Sequence, residues 1–132
     1  MIINTNINKS KVRQSWRREL VKQNFNMVAT IQAPMGNQYS FEKRMENLAM
    51  LGRMEKMFYS VEKNQNSKGY HIHLMMKIHE VSNVLVYKDT LAWALDVKRS
   101  YIPYLSEIGN LKGLTNYITK YMKSDQIHYN FY

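Results

Sequence analysis

The chain contains no cysteine at all among its 132 residues. That excludes disulfide scaffolds and every zinc site built on thiolate ligands, and it is compatible with a cytoplasmic protein. No apolar run reaches the length of a membrane span, and the N-terminus lacks the layout of a signal peptide. Repeats, low-complexity blocks and linker-like stretches are also missing. Proline is scarce: of only two, Pro34 stops an apolar run and Pro103 sits inside a short one. What remains is ordinary globular material, with 45% hydrophobic and 12% aromatic residues. A chain of this length forms one domain with a sizeable core.

Acidic residues are the other shortage. Ten Asp and Glu stand against nineteen Lys and Arg, a formal charge of +9. Such an excess implies an acidic partner, nucleic acid before membrane surface. The charge is concentrated at the start, where Lys9, Lys11, Arg13, Arg17, Arg18 and Lys22 face a single Glu19. Trp16 lies among these cations. An aromatic face can take a base while the cations hold phosphates, although a solvated basic tail would look the same. Residues 1–25 therefore read as a basic N-terminal arm or helix ahead of a single domain over 26–132.

Periodicity divides the chain further. A basic helix is expected from Ser10 to about Asn24, with Val12, Trp16 and Leu20 on one stripe. Asn26–Ala33 is a strand, and Ser40 caps a helix carrying Phe41, Met45, Leu48 and Leu51. Phe58–Glu62 and Tyr70 to about His79 are strands, joined by a polar turn over Asn64–Gly69. A helix follows through about Lys98, with Leu85, Leu91 and Leu95 inward. Tyr101–Leu105 is a strand that Pro103 confines to an edge. Asn110 caps a helix to about Lys123, and Ile127–Tyr132 closes the chain as a strand. The order predicts an α+β domain with a central antiparallel β-sheet flanked by helices, of RRM-like topology.

Two groups of residues can carry chemistry. His71 and His73 flank Ile72 in a strand, so both imidazoles leave the same face. That is half of a metal site, and a carboxylate added to it suits Mn²⁺ or Mg²⁺. Glu62 ends the preceding strand nine residues earlier, and hairpin pairing brings it beside the histidines in the right register. A slip of one residue sends it to the other face. His79 has the same parity but lies too far along to share the ion, and His128 receives no role. The second group is Tyr117, Lys120 and Tyr121, neighbours on the last helix at the margin of the stripe Leu111, Leu114, Ile118, Met122. A phenol is a weak nucleophile at neutral pH, its pKa being near 10. A nearby cation or a metal-polarised phosphate assists its attack. Ordinary amphipathic packing of these tyrosines is the plain alternative.

A His-aliphatic-His strand followed by Tyr-x-x-Lys on a helix, in a small basic domain, resembles the HUH endonucleases, and within them the rolling-circle replication initiators of small viruses and plasmids. The resemblance covers residues 26 to about 125. Val28–Pro34 looks like the first family motif, which binds DNA and includes Thr30. His71-Ile72-His73 matches the metal motif, and Glu62 falls where viral initiators place an acidic ligand. Tyr117-Ile118-Thr119-Lys120 matches the nucleophile motif, with Tyr117 attacking and Lys120 assisting. Tyr121 makes the spelling similar to two-tyrosine initiators as well. The resemblance implies metal-dependent nicking of single-stranded origin DNA, a 5′-phosphotyrosine intermediate, a free 3′-OH, and rejoining by the reverse step. No Gly-Lys-Ser/Thr phosphate loop occurs, so helicase and polymerase come from separate proteins. Host cytoplasm is the expected compartment, and a homodimer is compatible with it. Single-strand transposases and relaxases of the same superfamily remain alternatives, as does a non-enzymatic module that binds single-stranded nucleic acid.

Overall fold

The computed structural model describes residues 5–33, 42–51, 54–64, 69–79, 84–121 and 128–132. Among these residues four α-helices and five strands follow in the order α1 (Thr5–Lys22), β1 (Met27–Ala33), α2 (Glu42–Leu51), β2 (Met54–Lys63), β3 (Tyr70–Ile78), α3 (Val84–Leu95), β4 (Tyr104–Glu107), α4 (Leu111–Ile118) and β5 (His128–Phe131). The strands form one sheet in the order β4-β1-β3-β2-β5, and every pairing is antiparallel. This is the expected α+β architecture. Within it, β1 to β4 with α2 and α3 make a split β-α-β-β-α-β unit, and β5 extends it beyond β2. Among the described residues no helix is long and apolar enough to cross a membrane.

Period-two alternation gives the sheet two apolar faces. One carries Met27, Ala29, Ile31, Met57, Tyr59, Val61, Ile72, Leu74 and Met76, all buried beneath α2 and α3. The opposite face is apolar only at one end, where Val28, Phe58 and Met75 pack with Leu20, Phe25 and Ile118. Leu20 is fully buried there, so α1 is part of the fold and no loose arm. Arg17 Nε donates to Thr119 Oγ1 at 3.1 Å, which ties α1 to the end of α4. Beyond this apolar patch the same face continues into the polar residues of the candidate site.

Several boundaries differ from the sequence reading. Helix α1 starts at Thr5 rather than Ser10, because no glycine or proline interrupts its backward extension. Strand β2 starts at Met54, with an irregularity between Met54 and Lys56, and ion pairs from Glu55 to Lys77 and His79 support the extra pairing. Helix α3 stops at Leu95, short of Lys98. Asp96 adopts φ 54°, and its N–H and that of Val97 return to the carbonyls of Trp93 and Ala92. These paired returns form a Schellman closure, with Asp in the place glycine usually takes. Arg44 Nη1 then caps the carbonyls of Leu95 and Asp96 at 2.6 and 2.8 Å. Leu85 does not face inward: it is 64% exposed, since the buried stripe runs through Val84, Tyr87, Leu91 and Leu95.

The strand after α3 also begins later than expected. Arg99–Tyr101 form a turn of 3-10 helix, and pairing starts only past Pro103, which has no N–H to donate. Its edge position is as expected. Asn110 caps α4, its Oδ1 accepting from Gly113 N at 3.0 Å. Helix α4 ends at Ile118 and tightens into a 3-10 turn over Thr119–Tyr121 instead of running on to Lys123. The expected cap at Ser40, the breaks at Pro34 and Gly36, and the side chains of Val12, Phe41 and Met122 lie outside the described residues.

Candidate metal and nucleophile site

The register of the β2–β3 hairpin decides the first half of the site. Asn64 N donates to Gly69 O at 3.0 Å, and Gly69 takes φ 98°, a conformation that favours glycine. This closure sets Glu62 directly opposite His71 and Ser60 opposite His73. Opposed residues of an antiparallel pair share a face. Glu62, His71 and His73 therefore converge on one side of the sheet, and their nearest ligand atoms all lie within 4.8 Å of one another.

Their hydrogen bonding is incomplete in an informative way. His71 Nε2 is 2.9 Å from Glu62 Oε2, and His71 Nδ1 is 2.8 Å from Asn64 Oδ1. Both ring nitrogens thus face oxygen acceptors, whereas a neutral imidazole has one N–H to give. A doubly protonated imidazolium meets both, and with a single proton on the Asn64 side the Nε2 lone pair faces the carboxylate, a gap that a cation can fill. His73 Nε2 lies 3.5 Å from the same Glu62 oxygen, too poorly placed for a hydrogen bond. His73 Nε2 and Glu62 Oε1 are both buried with no partner. Buried polar atoms are normally satisfied. Burial raises the pKa of Glu62, but its hydrogen bond with His71, its close approach to His73 and the charge of both rings outweigh it, and the carboxyl is held down to about 2.

These residues fit a divalent metal ion. Two imidazole nitrogens and a carboxylate form a mixed donor set that several divalent ions accept. Ligands about 2.1 Å from one ion lie roughly 3 to 4 Å apart, so the observed cluster needs only a small contraction. Asn64 would hold His71 from behind, as outer partners of metal-bound histidines do. Its role escaped the sequence, where it reads only as a turn residue.

Helix α4 provides the second half. Tyr117 stands edge-on to His73, ring centroids 5.7 Å apart at 81°, and is 52% exposed. Lys120 Nζ lies 3.8 Å from the Tyr117 ring centroid. The 3-10 turn explains this overlap, because residues three apart nearly eclipse in that geometry. Thr119, also buried, donates its hydroxyl to Thr115 O at 2.7 Å and accepts from Arg17, which anchors the turn. The structure thus brings Tyr117 and Lys120 to Glu62, His71 and His73. For Tyr121 it describes the backbone only.

The basic residues of α1 divide into groups. Arg17 is engaged with Thr119, and Arg13, one turn earlier, has a buried Nε with no partner. The guanidinium of Arg13 has its pKa lowered by burial and by the charge of Arg17. Arg18 and Lys22 are exposed, and Lys9 and Lys11 lie on α1 with side chains outside the described residues. Trp16 packs on Phe58 at 5.4 Å, so one of its faces belongs to the core. Thr30 lies between His73 and Tyr104 across the strands and is half-buried. His79 pairs with Glu55, away from the triad. His128 lies on β5 opposite Val61.

Comparison with family models, curated proteins and solved structures finds no significant match to this chain. Function must be read from the site.

Proposed function

We propose that this protein is a metal-dependent nicking and joining enzyme for single-stranded DNA, of the HUH type and most similar to rolling-circle replication initiators. The observation that carries the reading is the convergence of Tyr117 on His73 from a different element, edge-on to a His-His-Glu cluster with unsatisfied ligand atoms.

Glu62, His71 and His73 would hold the ion. When bound, a divalent ion supplies polarisation of the scissile phosphate and neutralises charge developing on its oxygens. Tyr117 supplies the nucleophile. Its phenolic oxygen forms a bond to phosphorus as the bond to the 3′ oxygen breaks. The electron pair leaves with that oxygen, which takes up a proton and becomes a free 3′-OH, while the phenol proton goes to solvent. The product is a 5′-phosphotyrosine ester. Because one phosphoester replaces another, a later 3′-OH reverses the step and joins strands. Lys120, above the phenol ring, meets the phosphate. Asn64 keeps the His71 ring in place.

Glu62 lies on β2, ahead of the histidines. An acidic ligand there favours an initiator over transposases that draw this ligand from the tyrosine helix. A binding module built on the same sheet would present aromatic residues on its central strands. Here the uncovered half of β1 and β3 carries Thr30, Gln32, His71 and His73 instead.

The test uses a labelled single-stranded origin candidate with Mn²⁺. The parent protein should yield a nicked product and a denaturation-resistant adduct whose mass maps to the Tyr117 peptide. Tyr117→Phe should abolish both and leave binding of the strand nearly intact. An adduct that survives in Tyr117→Phe would move the nucleophile to Tyr121. Neither nick nor adduct from the parent would leave the binding module.

A further inference from the structure

The residues around the cluster are not equally exposed, and the gradient has a direction. Across the sheet, one register row runs Tyr104 on β4, Thr30 on β1, His73 on β3 and Ser60 on β2. Tyr104 is 52% exposed, Thr30 half-buried, His73 nearly buried and Ser60 fully buried. The next row repeats the trend, with Gln32 exposed, His71 half-buried and Glu62 buried. Helices α1 and α4 cover the row beyond, at Val28, Met75 and Phe58. The site is therefore closed on the β2 side and roofed at one end, and it opens towards β1 and β4.

A polymeric substrate has to leave the site across this open strip. Tyr104 is the one large aromatic residue on it among the described residues, and it lies in register with a metal ligand. Strands are spaced about 4.8 Å apart, so Tyr104 stands roughly 10 Å from His73 across the sheet, a short step of nucleic-acid backbone. Thr30 and Gln32 offer a hydroxyl and an amide group beside it on the same face. The strip is polar, and the +9 charge of the chain suits a polyanion rather than an apolar partner. Leu105, next in β4, turns to the opposite face and packs in the main core. This leaves Tyr104 on the open face with about half of its surface in solvent.

We propose that Tyr104 is a base-stacking subsite, holding a nucleobase of the single strand that flanks the phosphate at Tyr117, with Thr30 and Gln32 lining the path between them. The inference rests on the reading of this site as a single-strand nuclease and adds the course of the strand. Stacking on an aromatic ring tolerates any base, so the subsite would position the strand without reading its sequence.

Two measurements test it on the full chain, using a mixed-sequence single-stranded DNA oligonucleotide. In the first, anisotropy gives its affinity without metal. Tyr104→Leu should bind roughly five- to a hundredfold more weakly than the parent, the range of one lost base stack, and Tyr104→Trp should restore binding. Since the side chain is exposed, both variants should melt with the parent. In the second, the oligonucleotide carries 5-iodouracil and is irradiated in complex with the protein. The cross-link should map to the Tyr104 peptide and vanish in Tyr104→Leu. Parent-like affinity in Tyr104→Leu, or cross-links elsewhere only, would overturn the subsite. If the parent still forms its Tyr117 adduct in that case, the nuclease reading stands without it. A parent that binds no single strand would overturn both.

Discussion

Loss of metal binding in ligand variants offers the most direct check on the site, because it needs no DNA. Glu62, His71 and His73 hold mutually incomplete contacts, with Glu62 Oε1 and His73 Nε2 buried and unpartnered. An ion that binds only the folded chain stabilises it by about 2.7 kcal/mol at a concentration a hundred times its Kd. For a protein of this length the unfolding entropy converts that to a rise in Tm of about 10 °C. Removing even an outer partner of a metal ligand weakens binding about ten- to a hundredfold, and a direct ligand should cost at least as much. At the same Mn²⁺ concentration, hundredfold weaker binding leaves about 0.4 kcal/mol and a rise under about 2 °C. His73→Ala and Glu62→Gln should both behave so, each compared with its own metal-free melting point. Glu62→Gln is the cleaner variant, since it keeps the volume and an oxygen able to accept from His71. The control is His79→Ala: this exposed histidine pairs with Glu55 outside the cluster and should keep the whole rise. Scanning fluorimetry with a Mn²⁺ titration reads all of these. A full metal-induced rise in Glu62→Gln or His73→Ala would refute the assignment, as would a lost rise in His79→Ala.

Other outcomes follow from the same geometry. Lys120→Met removes the cation 3.8 Å from the Tyr117 ring. A unit charge at such a distance is worth at most about 4 kcal/mol at a protein surface, and screening at a half-buried lysine reduces this, so adduct formation should slow roughly ten- to a hundredfold with little change in metal binding. An unchanged rate would remove Lys120 from the chemistry. The depressed pKa of Glu62, about 2 against an ordinary 4.5, means that folding favours its ionised form. Its stabilising effect is then complete above pH 4.5 and is lost as the pH falls towards 2. In metal-free urea titrations the stability gap between parent and Glu62→Gln should narrow as the pH falls from 4.5 towards 2. A gap that widens on acidification would contradict this sign.

Much of the framework was legible in the chain itself. Strand periodicity alone puts His71 and His73 on one face, because alternate residues of a pleated strand must point the same way. The local chemistry of Asn110 made it a helix cap, and a missing N–H confined Pro103 to the sheet edge, where β4 lies. Spacing likewise placed Tyr117 and Lys120 together. Leu85 was misread because α3 is apolar on nearly all sides, so hydrophobicity could not say which stripe the core would take.

What sequence left open depended on pairing between distant elements. Whether Glu62 joined the histidines turned on a register that a single-residue slip reverses, and only closure of the hairpin at Asn64 and Gly69 selected it. The second role of Asn64, the anchoring of Arg17 on Thr119 and the row from Tyr104 to Ser60 involve partners far apart in sequence or on separate strands. Nothing local encodes such contacts. The residue types capable of chemistry were determined by the sequence by itself. Which of them meet, and from which side a strand can reach them, was decided by the tertiary structure, because cross-strand register and helix cover are properties of the packed sheet.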